Sequence, residues 1–378
     1  MDTAHGLLLT RGAWRWDARQ PQLFRLHGYL QFHNTTNKRE IFIPEVTASI
    51  ILLSRGSLDS IQATVKVTPH HDQGNSYPAA DSRPRQDGYW SGYILKAECF
   101  TVIEVTVSIS AASRSFSLAD RLTAASLRFD YSSYGPYGQH RHVQHVILPL
   151  AFPTRTSRGL WSQVPGRGVQ TLPISTHLLC HLDDPVSITR TYVSPHAQPG
   201  DVLTIAESPL AIMQGRFRHP HSIKDSWIAR RACLLFKPTS SLATAKGMQA
   251  LVDIAGGWRV VLAVVVGILG RLLGQRGMFY STAGEQSTLI DDLTGTLPPY
   301  DQFIVLGPVR CQETVDAIRD RTGIETAIVD INDLTHITGE VKVLAASSGV
   351  DLQLLRAGLL ANPAGNADQQ TPLVLIRP

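Results

Sequence analysis

TVIEVTVSI, the stretch Thr101–Ile109, alternates apolar with polar side chains from Ile103 onward. Successive side chains of a β-strand point to opposite faces of a sheet, so the stretch predicts a strand with one apolar and one polar face. A half-buried strand of this kind is typical of an antiparallel sheet that packs one face on a core.

The residues around this strand repeat the same kind of signal. Runs of β-branched and aromatic residues recur from Leu23 to Leu150, and clusters of Gly, Pro, Asn and Ser separate them. The runs are 41–43, 48–53, 63–67, 89–95, 127–131 and 143–148. Many short strands with turn signals and little helical periodicity predict an antiparallel β-sandwich, which we place at residues 1–152. Such a domain serves as a binding module or as a scaffold.

Composition indicates a globular protein with room for a large core. The chain has 378 residues, of which 43% are hydrophobic and 17% are charged, and its formal net charge is +4. Lys and Arg are scattered along the sequence, so no nucleic-acid partner is expected. Four cysteines without a C-x-x-C pair argue against a zinc knuckle and against a disulfide scaffold. The N-terminus lacks a signal-peptide pattern, and we therefore expect a cytoplasmic protein.

The sequence pattern changes after a linker at 153–168 that is rich in Pro, Gly, Ser, Thr and Arg. Beyond the linker, apolar runs at 201–206 and 326–329 predict buried strands, and these mix with helical segments. One of the helices is predicted to end at Gly323, because glycine readily adopts the left-handed conformation of a helix C-cap. Residues 169–378 are therefore predicted to form an α+β domain, which makes the chain a two-domain protein.

Acidic residues lie at two predicted strand ends in this second half. The stretch Gly284–Gly307, GEQSTLIDDLTGTLPPYDQFIVLG, sets Asp291 and Asp292 before a Thr-Gly turn, a Pro-Pro step and an apolar run. Asp330 and Asp333 follow the second predicted strand. Carboxylates at neighbouring strand ends suit Mg²⁺ or Mn²⁺, which take oxygen ligands together with nucleotide phosphates. The alternative interpretation is that these residues are turn formers and helix caps.

An apolar segment, Trp258–Gly274, raises the question of a membrane. Its uncharged part between Arg259 and Arg271 has eleven residues, whereas a spanning helix needs about 20. We expect a buried helix here. A weak contact of this helix with a membrane surface is the alternative.

Several short motifs of the second half together resemble the coenzyme F420-0:gamma-glutamyl ligase family. The resemblance covers roughly residues 169–378 and rests on the order and spacing of the motifs. The amino-terminal sandwich lies outside it. The motifs are Pro199–Leu203, Gln214–Arg216, Leu289–Asp292, Thr322–Val329, Gly365–Asp368 and Pro372–Arg377.

The resemblance implies a ligase-like domain that joins L-glutamate to the phosphorylated tail of a deazaflavin coenzyme. It implies GTP as co-substrate, Mg²⁺ or Mn²⁺ as cofactor, a small-molecule acceptor and a homodimer. Cofactor binding is assigned to Gln214, Gly215 and Arg216, which match the family's Glu-Gly-Arg step. Asp291 matches the aspartate that serves as a metal ligand in the family. A gapless match puts Asn332 at the family's second acid, so Asp330 and Asp333, which flank it, and Asp292 complete the expected metal set.

The chain also departs from the family pattern at two places. Ala211-Ile212 stands where the family has a Ser-Lys pair, so the cation expected to meet phosphate is absent there. The sequence after Asp333 lacks the Gly-Arg step that usually follows the second acid. Three hypotheses therefore remain open: a nucleotide-dependent ligase, a non-catalytic binding or scaffold protein that retains the ligase fold, and a protein of the membrane surface.

Overall fold

The structure, a computed structural model, divides the chain into two compact units, Met1–Ala151 and Phe152–Pro378. The sequence prediction put the first domain at 1–152 and began the second at 169. The residues that the structure describes are 6–77, 89–135, 138–153, 160–238, 240–275, 277–292, 297–330, 341–360, 363–364 and 370–378.

The first unit is built from antiparallel strands in two sheets. One sheet has the order β1-β3-β7-β5 with β2 paired to β3, and the other has the order β6-β4-β8-β9. A short helix, α1 (Leu118–Arg121), precedes β8. The strands are β1 (Leu7–Leu9), β2 (Ala13–Gln20), β3 (Leu23–Asn34), β4 (Ile41–Ser54), β5 (Ile61–His70), β6 (Tyr93–Leu95), β7 (Phe100–Ala111), β8 (Leu122–Gly135) and β9 (Gly138–Pro149).

Both sheets contribute to one apolar core, and this confirms the predicted sandwich. In β7 the side chains of Ile103, Val105, Val107 and Ile109 are fully buried, while the polar residues between them stay partly exposed. Each buried aliphatic side chain contributes roughly 1.5–3 kcal/mol relative to an exposed one. The alternation in the sequence therefore fixes which face of β7 meets the second sheet.

The second unit contains a mixed six-stranded sheet with the order β10-β11-β18-β12-β16-β17. Within it, β12 and β16 run parallel, whereas the other neighbours are antiparallel. The first of these strands lies inside the predicted linker, so residues 160–168 of that linker are structured. The strands are β10 (Ser162–Val164), β11 (Val169–Ile174), β12 (Val202–Ala206), β16 (Glu325–Asp330), β17 (Lys342–Ala346) and β18 (Leu373–Arg377).

A small sheet of two-residue strands accompanies the large one, in the order β13-β15-β14. Its strands are β13 (Phe217–Arg218), β14 (Asp291–Asp292) and β15 (Ile304–Val305). The apolar run predicted after the Pro-Pro step is β15, and both of its residues are buried. This sheet carries Asp291 into the interior of the unit.

Helices of the second unit alternate with these strands. The helix predicted to end at Gly323 is confirmed: it buries Val315 and Ile318, and Gly323 caps it with φ +73°. The helices are α2 (Pro185–Ile188), α3 (Glu207–Met213), α4 (Trp227–Ala232), α5 (Ala245–Ala255), α6 (Gly257–Leu272), α7 (Met278–Ala283), α8 (Cys311–Thr322) and α9 (Leu352–Leu359).

The apolar segment forms the predicted helix, α6, but the expectation that this helix is buried is wrong. Only Val260, Ala263 and Gly270 are buried in it, and most of its large apolar side chains are exposed. The pattern was misjudged because a helix that is apolar on every side gives no sequence signal for the side that packs. Among the described helices, no single one is long and apolar enough to cross a membrane. Only α5 and α6 taken together, bent by 113°, meet that criterion.

Candidate functional site

Two parallel strands deliver acidic residues to one edge of the large sheet. β12 and β16 pair in register from Val202 opposite Glu325 to Ala206 opposite Val329. Glu207 follows the end of the first strand directly, and Asp330 ends the second. Because the strands are parallel, their carboxyl ends meet at the same sheet edge, which is where ligands bind in open sheets of this kind.

Glu207 also begins α3, whose side chains anchor it to the core. Pro209 lies in the first turn of this helix, where the missing N–H has no intrahelical partner to lose. Leu210 is fully buried and belongs to the apolar core beneath the sheet. The position of the Glu207 carboxylate is therefore set by a packed helix as well as by the preceding strand.

Asp291 joins this edge from the small sheet. Its strand β14 pairs antiparallel with β15, with Asp291 opposite Val305. The hydroxyl of Ser208, the second residue of α3, donates a hydrogen bond of 2.8 Å to Oδ2 of Asp291. This bond joins the Asp291 carboxylate to the residue next to Glu207.

The three carboxyl groups are poorly solvated and repel one another. Burial, with the nearby charges of Asp330 and Asp291, raises the pKa of Glu207 to about 9. Burial also raises the pKa values of Asp291 and Asp330. The Oε2 atom of Glu207 is buried and has no hydrogen-bond partner among the described residues. Buried acceptor oxygens that lack donors are unfavourable alone, and a bound cation or proton relieves them.

Lys342 supplies a positive charge beside these acids. It begins β17, which pairs antiparallel with β16 so that Lys342 lies opposite Asp330. Its charge counteracts the effect of burial on the pKa of Asp330. Its Nζ donates a hydrogen bond of 3.0 Å to Oγ1 of Thr288. The side chain is exposed, so its ammonium group is accessible to an anionic ligand.

The structure brings together some of the predicted metal ligands. Asp291 lies close enough to Asp330 for its charge to help burial raise the pKa of Asp330. The side chain of Asp292 and all of Asp333 lie outside the described residues, as does Asn332. Within the described ranges, no group of three or more His, Cys, Asp or Glu side chains is arranged to hold a metal ion.

Sequence reasoning missed Glu207 and Lys342. The signal for Glu207 was present, because it follows a predicted strand just as Asp330 does. Lys342 carried no such signal, since it becomes a neighbour of Asp330 only through the pairing of β16 with β17.

The residues predicted to bind a cofactor, Gln214, Gly215 and Arg216, lie at the other end of α3. The Gln214 amide makes two hydrogen bonds with the backbone of Val309, of 2.7 and 2.9 Å. Gly215 adopts φ +68°, which makes the turn out of the helix.

The Arg216 guanidinium donates to the Gly307 carbonyl at 2.5 Å and to Oε1 of Gln286 at 3.0 Å. Burial lowers its pKa. The side chains of Gln214 and Arg216 thus hold the 307–309 segment through hydrogen bonds. The role of Gln214, Gly215 and Arg216 in cofactor binding stays a prediction. Ala211 and Ile212, which replace the Ser-Lys pair, are buried in the core.

Comparison with protein families identifies the first unit. Residues 8–152 match the model described as the N-terminal Ig-like domain of F420-0:gamma-glutamyl ligase. The match confirms the resemblance to that ligase family, with an N-terminal β domain that is Ig-like. It also corrects the expectation that the sandwich lies outside the family, which arose because the quoted motifs all fall in the second half.

Similar solved structures each cover about two fifths of the chain, with low similarity. The GAE domain of GGA2p from Saccharomyces cerevisiae is 10% identical, covering 40% of this chain and 96% of its own, at a TM-score of 0.21. The GAE domain of yeast GGA1 is 12% identical, covering 38% and 93%, at 0.20. The PapD-like domain 7 of human CEP192 is 8% identical, covering 39% and 87%, at 0.19. These scores carry no functional argument. A comparison with curated proteins finds no match.

Proposed function

We propose that this protein is a metal- and GTP-dependent ligase of the F420-0:gamma-glutamyl type, which joins L-glutamate to the phosphorylated tail of a deazaflavin coenzyme. The observation that carries the proposal is the convergence of Glu207, Asp291 and Asp330 at one edge of the sheet. Their pKa values are raised, and one Glu207 oxygen has no hydrogen-bond partner within the part of the chain that the structure describes. The match of residues 8–152 to the N-terminal Ig-like domain of this ligase supports the choice of reaction class.

The acidic side chains proposed as ligands are of the kind that Mg²⁺ and Mn²⁺ take. Both ions prefer carboxylate oxygens, and Mg²⁺ is commonly held by one or two carboxylates together with substrate phosphates and water. We assign Asp291 and Asp330 as ligands, with Glu207 beside them and Asp292 and Asp333 as further candidates. Ser208 holds the Asp291 carboxylate in place through its hydrogen bond of 2.8 Å. A bound metal ion supplies charge neutralisation to the phosphoryl group that is transferred.

In this proposal, Lys342 replaces the lysine that the family has in its Ser-Lys pair and this chain lacks. Phosphoryl transfer concentrates negative charge on oxygen atoms, and a cationic side chain next to them stabilises it. The exposed ammonium of Lys342 lies next to Asp330, so it can reach a phosphate that the same metal ion binds. The buried Ala211 and Ile212 then need no polar function.

The competing hypothesis is a non-catalytic binding protein that retains the fold. It is favoured by the hydrogen bonds of Gln214 and Arg216 to the 307–309 segment, because these bonds give both side chains a structural role. The two hypotheses differ in nucleotide binding and in turnover, both of which the ligase requires. A homodimer is proposed for both.

Turnover is tested by incubating the full chain with GTP, Mn²⁺, L-glutamate and coenzyme F420-0. The proposal predicts GDP, phosphate and a product enlarged by one glutamate, detected by mass spectrometry. Asp291→Asn should abolish product formation, and Glu313→Gln, a change at an exposed carboxylate of α8, should not. GTP binding without product would contradict the ligase reaction. Absence of GTP binding would contradict the ligase and favour the non-catalytic protein.

A further inference from the structure

Helix α6 presents a second apolar face, opposite the one that packs. On the packed side, Gly267 and Gly270 approach Phe279 and Met278 of α7 closely. The outward face consists of side chains that are 38–78% exposed. They are Trp258, Val261, Leu262, Val265, Ile268, Leu269, Leu272 and Leu273.

The spacing of these residues makes one continuous strip. They recur at intervals of three and four along a helix with 3.6 residues per turn, so they share one side of it. Large contiguous apolar surfaces of this kind mark interaction sites on soluble domains. Trp258 adds an amphipathic ring at the start of the strip, and Trp227 and Leu234 of the neighbouring α4 region are also strongly exposed.

Charge distinguishes the surroundings of α6 from the rest of the chain. Residues 223–284 contain eight Lys or Arg and two Asp, a net charge of +6, whereas the whole chain has +4. The basic residues are Lys224, Arg230, Arg231, Lys237, Lys246, Arg259, Arg271 and Arg276. The scattered appearance of Lys and Arg in the full sequence conceals this concentration.

Both acidic residues of this segment form ion pairs. Asp225 forms an ion pair of 3.1 Å with Lys246, and Asp253 forms one of 2.7 Å with Arg218. The exposed side chains of Arg259 and Arg271 lie in α6 itself, and those of Arg230 and Arg231 lie in α4, which shares an apolar core cluster with α6.

We propose that α6 lies flat on an anionic lipid bilayer, with its apolar strip inserted among the acyl chains and the surrounding Lys and Arg at the head groups. The combination of an apolar face, flanking basic residues and an exposed Trp is that of an interfacial helix. The eleven uncharged residues between Arg259 and Arg271 are too few to span a bilayer. A second copy of the chain is disfavoured as the occupant, because two segments of charge +6 would face each other.

Vesicle flotation of the full chain tests the proposal, with phosphatidylcholine vesicles compared with vesicles that also contain phosphatidylglycerol. Binding to the anionic vesicles should be at least about tenfold tighter, since each Lys or Arg near such a surface contributes about fivefold. Leu269→Asp should abolish flotation, because it places a charge in the inserted strip. Leu352→Asp, the same change at an exposed leucine of α9, should leave flotation unchanged. Thermal melting of both variants verifies that each is folded.

A charge variant separates the two parts of the proposal. Arg230→Gln with Arg231→Gln should weaken binding to the anionic vesicles about fivefold per charge and leave the melting temperature unchanged. Equal binding to both kinds of vesicle, no binding, or full binding by Leu269→Asp would overturn the proposal. Sedimentation that shows a dimer dissociated by Leu269→Asp, without vesicle binding, would assign the strip to self-association and overturn it as well.

Discussion

Replacement of Glu207 by Gln should stabilise the metal-free protein. Burial and the charges of Asp330 and Asp291 raise the pKa of Glu207 from 4.5 to about 9. The folded protein therefore holds a proton that the unfolded chain releases above pH 4.5. Between these two values the unfolded state binds fewer protons, so the free energy of unfolding falls as the pH rises. Gln is neutral at every pH and has a similar shape, which removes this penalty.

The size of the effect follows from the shift in the pKa. Between the pKa of the unfolded state and that of the folded state, each pH unit lowers the free energy of unfolding by about 1.4 kcal/mol. At pH 7 the buried carboxyl group of Glu207 therefore lowers the free energy of unfolding by at most about 3 kcal/mol. At pH 8 the corresponding limit is about 5 kcal/mol. For a domain of this size, each kcal/mol corresponds to about 2–4 °C in the melting temperature.

Urea denaturation at pH 6, 7 and 8, without divalent metal, measures the difference in the free energy of unfolding between wild type and Glu207→Gln. The difference should grow by about 1.4 kcal/mol per pH unit. Glu313→Gln is the matched control, because Glu313 is exposed and its ion pair with Arg310 is at the surface. It should change the stability by less than about 0.5 kcal/mol at each pH. A Glu207→Gln variant with the same pH dependence as wild type would refute the assignment of a buried, protonated carboxyl group.

Further predictions concern the ligands, the cation and the first unit. Asp291→Asn and Asp330→Asn should each remove Mn²⁺ binding in a calorimetric titration while the circular dichroism stays native, and unchanged affinity would count against the site. Mn²⁺ affinity should rise with pH up to about 9, because Glu207 must lose its proton near the metal; a flat profile would exclude Glu207 from the site. Lys342→Met should weaken GTP binding about tenfold and Lys342→Arg much less, as fluorescence titration can measure; equal losses would argue for a structural role. Residues 1–152 expressed alone should unfold in one cooperative, strand-rich transition, and an insoluble fragment would show that the first unit needs the second.

The β-sandwich class of the first unit could be predicted from the local sequence pattern. In strands that are apolar on one face only, such as β7, the alternation of apolar and polar residues predicts which side chains are buried. The number of sheets and their order depend on pairings between residues far apart, such as Leu23 with Ser110, which alternation does not encode. The beginning of the second unit was misplaced for a similar reason: Ser162–Val164 pairs with β11 despite the turn-forming composition around it.

Two of the three acids of the site could be predicted, because they end or adjoin recognisable strands. Asp291 and Asp330 are brought to one region, as two strand ends suggest. Glu207 was overlooked although it obeys the same rule. Lys342 requires knowledge that β17 returns antiparallel beside β16, which is a tertiary fact.

The largest error concerned α6, and its cause is physical. An uninterrupted apolar sequence establishes that a helix avoids water, but Val, Leu and Ile repeat on both sides of this one. Its packed side is marked by small residues, Ala263, Gly267 and Gly270, which allow α7 to approach closely. The outer side keeps the bulkier residues, and their exposure is visible only in the folded chain.

The account depends on a site that binds a nucleotide through a divalent metal ion, and calorimetric titration of the full chain with GTP tests this most directly. Titrations are made with Mn²⁺, without divalent metal, and with Asp291→Asn in the presence of Mn²⁺. The account predicts saturable GTP binding to the wild-type chain only when Mn²⁺ is present, and loss of that binding in the variant. Absence of GTP binding, or the same affinity in all three titrations, would contradict it.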